Sequence, residues 1–95
     1  MKTSVAVEIV HAPAQCRFEA RRGDHLCVAD YRMEGQIMHM THTFVPHALE
    51  GQGIAAALVS AAFDHARSSG YRINPLCSYV AVWAQRHPEV LPLLV

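Results

Sequence analysis

The sequence predicts an α/β (α+β) fold with a mostly antiparallel sheet of about five strands, one main crossover helix and a short C-terminal helix. Apolar residues alternate with polar ones through the first half of the chain. Residues 51–69 then repeat apolar positions every three or four residues, and a short apolar run follows them. Because a strand, a helix and a strand in succession form a right-handed crossover, we expect the fourth and fifth strands to be parallel neighbours.

Two-residue periodicity and turn residues define the first four strands, which we predict at residues 5–9, 16–21, 26–33 and 37–45. Val5, Val7 and Ile9 share one face of the first strand, which ends at a break formed by residues 11–13. In the second strand Cys16, Phe18 and Ala20 share the apolar face. The fourth strand stops at Pro46, because proline lacks the N–H group that a β-ladder requires.

The second half of the chain begins with the main helix, predicted over residues 51–69. Gly70 is suited to end this helix in a left-handed conformation. A fifth strand over residues 71–74 and a shorter helix over residues 79–86 follow, and we expect Trp83 in that helix to belong to the core. With no linker or repeat in the sequence, residues 1–95 are expected to form a single domain.

The composition argues against several classes of protein. Eight basic side chains balance eight acidic ones, so the chain lacks the positive excess that nucleic-acid binding requires. Three irregularly spaced cysteines fit neither a disulfide framework nor a structural zinc site. A metal site is not expected either, since residues three apart in a strand, such as His39 and His42, face opposite sides. No segment resembles a targeting peptide or a membrane span, and we expect a cytoplasmic protein.

A glycine-containing turn between the fourth strand and the main helix carries the strongest chemical signal. Gly51 and Gly53 allow the backbone to turn tightly and approach a ligand. The unpaired N–H groups of the first helical turn and the positive end of the helix dipole favour a phosphate. The turn is not a Walker loop, because no GK[ST] follows, and it lacks the third glycine of a dinucleotide fingerprint. The alternative is that the turn is a glycine-rich start of a helix that binds no ligand.

The run VPxxxxGQGIAxxL in this region resembles the coenzyme A signature of the GNAT superfamily of N-acyltransferases. That signature consists of Gln or Arg, then any two residues, then Gly, then any one residue, and finally Gly or Ala. The segments HTxVP, GQGIA, PLCSYV and RHPE, at residues 42–46, 51–55, 75–80 and 86–89, are similar to the short stand-alone GNAT-like proteins often called YjdJ-like. The resemblance implies a minimal GNAT-like fold in which the fourth and fifth strands are parallel and splayed. One departure is Glu50, a carboxylate where the pattern has Gln or Arg.

The resemblance also implies that acetyl-CoA or coenzyme A is the cofactor, with its diphosphate on the turn and its pantetheine arm between the splayed strands. The cofactor-binding residues implied in this way are Phe44, Val45, Glu50, Gly51, Gln52, Gly53, Ile54, Ala55, Ala56, Cys77 and Tyr79.

Three side chains are candidates for catalysis. Cys77 follows the fifth strand and is either an acyl-accepting nucleophile or a buried thiol that contacts the cofactor. Tyr79 is either the proton donor to the departing thiolate or an aromatic packed on the sheet. His42, expected on one strand face with Met40 and Phe44, is either a base for the amine or a structural histidine.

The sequence therefore indicates an acyl-CoA-dependent N-acyltransferase that moves an acetyl group from acetyl-CoA to an unidentified primary amine. The alternative is a coenzyme A or acyl-CoA binding module, or a partner subunit, that performs no rapid chemistry. We expect a monomer or a weak homodimer, with no nucleic-acid or membrane partner.

Overall fold

A computed structural model describes residues 7–95 of the chain. Within these residues five strands form one sheet in chain order: β1 (Val10–Ala12), β2 (Arg17–Arg22), β3 (His25–Glu34), β4 (Ile37–Phe44) and β5 (Arg72–Pro75). The helices are α1 (Ile54–Ser69) and α2 (Ser78–Gln85), and short 3₁₀ segments cover Pro13–Gln15, His47–Leu49 and Pro88–Leu93. Strands β1 to β4 pair antiparallel, and β4 and β5 pair parallel. The predicted fold class is confirmed.

The core lies between one face of the sheet and the apolar side of α1. The sheet contributes buried apolar side chains from β2 to β5, and α1 contributes Ile54, Leu58, Val59, Ala62, Phe63 and Ala66. This is the three-to-four-residue repeat that predicted the helix. Trp83 packs against this core from α2, half-buried, with its ring 5.3 Å from that of Phe63. None of the helices described is long and apolar enough to cross a membrane.

Helix α1 begins three residues later than predicted. Gly53 has φ +80° and Gly51 has φ +83°, so neither belongs to a right-handed helix, and regular helix starts at Ile54. Gly70, with φ +75°, ends the helix as predicted, and its N–H group donates back to the carbonyls of the last turn. For β2 to β5 and α2, the predicted boundaries agree with the structure to within one residue.

The prediction for the first strand is wrong. Residues 7–9 are not in a strand, Val5 lies outside the described residues, and β1 instead occupies Val10–Ala12, which overlaps the predicted break at residues 11–13. Its position is set by pairing with β2, where His11 lies opposite Phe18. Cys16 does not share the apolar face of β2 either, because it caps the 3₁₀ segment in a left-handed conformation (φ +57°) and is exposed.

A β-bulge in β4 places His42 on an unexpected face of the sheet. Met40 lies opposite Tyr31, whereas His42 lies opposite Asp30, so Thr41 is the extra residue. Since cross-strand partners share a face and neighbours such as Asp30 and Tyr31 do not, Met40 and His42 face opposite sides. Two expectations are therefore wrong, because sequence alternation does not reveal the bulge. His42 does not share a face with Met40, and His39 and His42, which lie opposite Arg32 and Asp30, are on the same face of the sheet rather than on opposite faces.

The pairing of β4 with β5 ends part-way along β4. The last pair in register is Met40 with Pro75, and the Cys77 N–H group then donates to the Met40 carbonyl at 2.9 Å. Beyond this point the chain turns into α2, while β4 continues to Phe44 beside β3 alone. Within residues 7–95, the separation leaves one edge of β4 without a strand partner next to the start of α1.

Candidate functional site

A cavity of about 560 Å³ lies where β4 ends and α1 begins. Its walls are Thr43, Phe44, Val45, Leu49, Glu50, Gly51, Gly53, Ile54, Ala55, Ala56 and Tyr79. All of the residues predicted to bind a cofactor belong to this set except Gln52 and Cys77. The cavity combines apolar walls with exposed main chain, a composition typical of cofactor sites.

The turn beside this cavity carries an unbroken series of free main-chain donors. In the part of the chain that the structure describes, the N–H groups of residues 51–56 have no acceptor, and the first donated within α1 is that of Ala57 to the Gly53 carbonyl at 3.0 Å. The left-handed conformations of Gly51 and Gly53 produce this arrangement. Six successive donors at the positive end of a sixteen-residue helix form a site suited to a phosphate or diphosphate.

Glu50 has an ionisable neighbour of its own. Its carboxylate Oε1 lies 3.2 Å from Nδ1 of His47, in the preceding 3₁₀ segment, and both side chains are largely exposed. Solvent screens the negative charge of an exposed carboxylate. Glu50 therefore remains on the wall of the cavity as an exposed carboxylate that pairs with His47 when that imidazole is protonated.

Cys77 lies just behind the cavity at the start of α2. Its Sγ is 3.5 Å from Oγ1 of Thr43, which does line the cavity. Burial alone raises the pKa of the Cys77 thiol, but the Thr43 hydroxyl and the N–H groups of Val80 and Tyr79 outweigh burial and leave the pKa below its usual value.

Tyr79 and His42 lie on different sides of the site. Tyr79 lines the cavity, and burial raises the pKa of its hydroxyl although Arg86 acts in the opposite direction, so the phenol remains protonated at neutral pH. His42 is exposed on the sheet face away from α1, with its ring 6.5 Å from the ring of Phe44. Phe44 lines the cavity, whereas His42 does not.

The match of residues 17–93 to the model of the GCN5-related N-acetyl-transferase family decides the family. The chain belongs to this family. The NMR solution structure of a GCN5-like protein from Staphylococcus aureus has the same fold, with a TM-score of 0.74 and 23% sequence identity, over 93% of this chain and 87% of that chain. The resemblance identified from the sequence motifs is confirmed.

In this GCN5-related chain, sequence reasoning missed two residues that line the cavity, Thr43 and Leu49. Thr43 reaches the cavity because the bulge at Thr41 moves it to the helix side of the sheet, opposite the buried Ala29. No periodicity signals this change. Leu49 is an apolar residue in a polar turn, and that contrast was the available signal.

Histidines of the GCN5-related chain do not assemble into a metal centre within residues 7–95. Nδ1 of His39 is 3.0 Å from the Asn74 amide nitrogen, and its Nε2 is 2.8 Å from the Glu34 carboxylate. The three side chains link β3, β4 and β5. We interpret His39 as a structural residue, because both ring nitrogens are occupied.

Proposed function

We propose that the protein is an acyl-CoA-dependent N-acyltransferase that transfers an acetyl group from acetyl-CoA to a primary amine. The observation that carries this proposal is the series of six free N–H donors at the mouth of a cavity between β4 and α1. Membership of the GCN5-related N-acetyl-transferase family supports acyl transfer as the reaction.

In the proposed complex, the coenzyme A diphosphate accepts hydrogen bonds from the N–H groups of residues 51–56. The glycines keep side chains out of its path, since a Cβ at Gly51 or Gly53 would point into open space. The pantetheine arm runs along the open edge of β4, beside Phe44 and Val45, where its amides replace the missing strand partner. The thioester then lies near Thr43, Cys77 and Tyr79.

The proposed chemistry needs one proton acceptor and one proton donor. The amine loses a proton to His42 or to water and attacks the thioester carbonyl, whose developing negative charge is stabilised by main-chain groups of β4. The C–S bond breaks, and Tyr79, which remains protonated at neutral pH, donates its proton to the coenzyme A thiolate. The products are an amide and free coenzyme A. We prefer direct attack to a Cys77 acyl intermediate, because Cys77 does not line the cavity.

Because His42 does not line the cavity, a second candidate function is a coenzyme A or acyl-CoA binding module without rapid turnover. In that case the turn and the cavity hold the cofactor, and no base of this chain reaches an acceptor.

Calorimetry with coenzyme A and acetyl-CoA tests the binding site, and thiol release from acetyl-CoA in the presence of polyamines, amino acids and lysine peptides tests the reaction. Binding accompanied by amine-dependent release supports the transferase. Binding without release supports the binding module. No heat with millimolar ligand contradicts both.

A further inference from the structure

Several large apolar side chains remain exposed around the cavity. Phe44 and Tyr79 line it and are 48% and 40% exposed, and Leu76 and Val82 are 57% and 51% exposed. We refer to Phe44, Leu76, Tyr79 and Val82 as the mouth patch. Within residues 7–95 the remaining large apolar residues that are at least 40% exposed are Val10 and Val95.

The mouth patch continues outward from the cavity along α2. Tyr79 and Val82 are three residues apart in α2, so they lie on the same side of the helix, while Val80 and Ala84 turn inward to the core. Leu76 precedes the first turn of the same helix, next to Cys77, whose N–H group is fixed to β4. The patch therefore joins the cavity at Phe44 and Tyr79 and continues along α2 to Val82.

We propose that the mouth patch binds an acyl chain longer than acetyl, of the hexanoyl to octanoyl class, carried by the coenzyme A thioester. This inference rests on the proposed function, because the thioester must already lie in the cavity. An acetyl group leaves Leu76 and Val82 in water, whereas a medium-length chain covers them. The apolar surfaces of the acyl chain and of these side chains are then both removed from water. Arg86, two helical turns after Tyr79, ends the apolar stretch.

The chemistry of the patch favours an acyl chain over a charged occupant. Phe44, Leu76 and Val82 carry no hydrogen-bonding side-chain groups, and Tyr79 has one hydroxyl. Continuity with the cavity comes from Phe44 and Tyr79, which belong to both surfaces. A thioester-bound chain would leave the cavity between these two rings.

Calorimetry with coenzyme A and its acetyl, butyryl, hexanoyl and octanoyl thioesters tests the inference. We expect the dissociation constant to fall with chain length and octanoyl-CoA to bind about tenfold more tightly than acetyl-CoA. Leu76→Ser and Val82→Ser should reduce this gain to about threefold or less and leave the affinity for coenzyme A unchanged. Val10→Ser, which alters an exposed apolar residue on the strand at the opposite sheet edge, is the matched control and should keep the full gain.

The outcomes separate the inference from the proposed function. If coenzyme A binds and affinity does not rise with chain length, the inference is wrong and the proposed function stands. If affinity rises equally in Leu76→Ser, Val82→Ser and the parent, the chain binds elsewhere and the inference is also wrong. If neither coenzyme A nor any thioester binds, the proposed site itself is wrong.

Discussion

Thr43 and Cys77 meet across the point where β4 and β5 separate, with 3.5 Å between the hydroxyl oxygen and the sulfur. Thr43 lines the cavity and Cys77 lies behind it, so the pair connects the proposed thioester site to the first turn of α2. The hydroxyl is one of the groups that lower the pKa of the thiol.

Thr43→Val, which replaces the hydroxyl by a methyl group of similar size, should raise the pKa of Cys77. A higher pKa leaves less thiolate at neutral pH, so alkylation of Cys77 by iodoacetamide should slow by about threefold at neutral pH and recover as the pH rises. The exposed Cys16 in the same sample is the internal control, and its rate should not change. Equal Cys77 rates in both proteins would show that Thr43 does not act on the thiol.

Incubation with acetyl-CoA and no amine should leave Cys77 unmodified, because we propose direct attack by the amine. A covalent route would leave a protein heavier by one acetyl group and labile to hydroxylamine. Cys77→Ser should retain acetyl transfer with a loss of about tenfold or less. Stoichiometric acetylation of Cys77, together with inactivity of a folded Cys77→Ser protein, would establish the covalent route instead.

Gly53→Val should weaken coenzyme A binding strongly, because a branched side chain would project toward the ligand from the centre of the donor series. The matched control is Gly70→Val. Gly70 has a similar φ, +75° against +80°, and equally open surroundings, so the backbone strain is comparable, but it lies at the other end of α1. A thermal melt of each variant shows whether it is folded, and calorimetry on the folded variants then measures their binding of coenzyme A. Equal affinities of the two variants would place the diphosphate elsewhere.

Glu50→Gln should increase affinity for coenzyme A by a few-fold, because it removes a screened negative charge from the wall of the phosphate site. The increase should shrink at high salt. Glu89→Gln removes an exposed carboxylate from the 3₁₀ segment Pro88–Leu93, which does not line this cavity, and serves as the charge-matched control. Weaker binding by Glu50→Gln, or an equal gain in both variants, would show that the Glu50 carboxylate does not oppose the diphosphate.

His11 should make the protein sensitive to mild acid. Its ring stacks on Phe18, its Nε2 lies 2.6 Å from the Tyr31 hydroxyl oxygen, and the ring of His65 is 4.4 Å away. Burial, and then His65, lower the pKa of His11 below 6.5. The contribution of neutral His11 to the free energy of unfolding is therefore fully present above about pH 6.5. This contribution is lost as the pH falls through the lower folded-state pKa of His11.

Urea unfolding at about pH 7.5 and pH 5.5 measures this loss of stability in acid. His11→Gln should be less stable at neutral pH, because the ring stacking is lost, but its stability should change less between the two pH values. His25→Gln, at the exposed start of β3, is the control and should keep the parental pH dependence. The same acid loss in His11→Gln as in the parent would exclude His11 as its source.

The sequence alone determined the order of the elements, the fold class and the position of the turn, because these depend on local periodicity and on residues with special backbone freedom. Gly53 and Gly70 marked the two ends of α1, and Pro46 marked the end of β4. The motifs at residues 42–46, 51–55, 75–80 and 86–89 indicated the family, which the match over residues 17–93 confirms.

Tertiary pairing decided what periodicity cannot encode. The register with β2 placed β1 at Val10–Ala12, and the bulge at Thr41 moved His42 to the open face and Thr43 to the helix side. A single inserted residue reverses every later side chain of a strand, and its cost is balanced by contacts with residues distant in the chain. The approach of Thr43 to Cys77, thirty-four residues later, follows from that reversal and from the separation of β4 and β5.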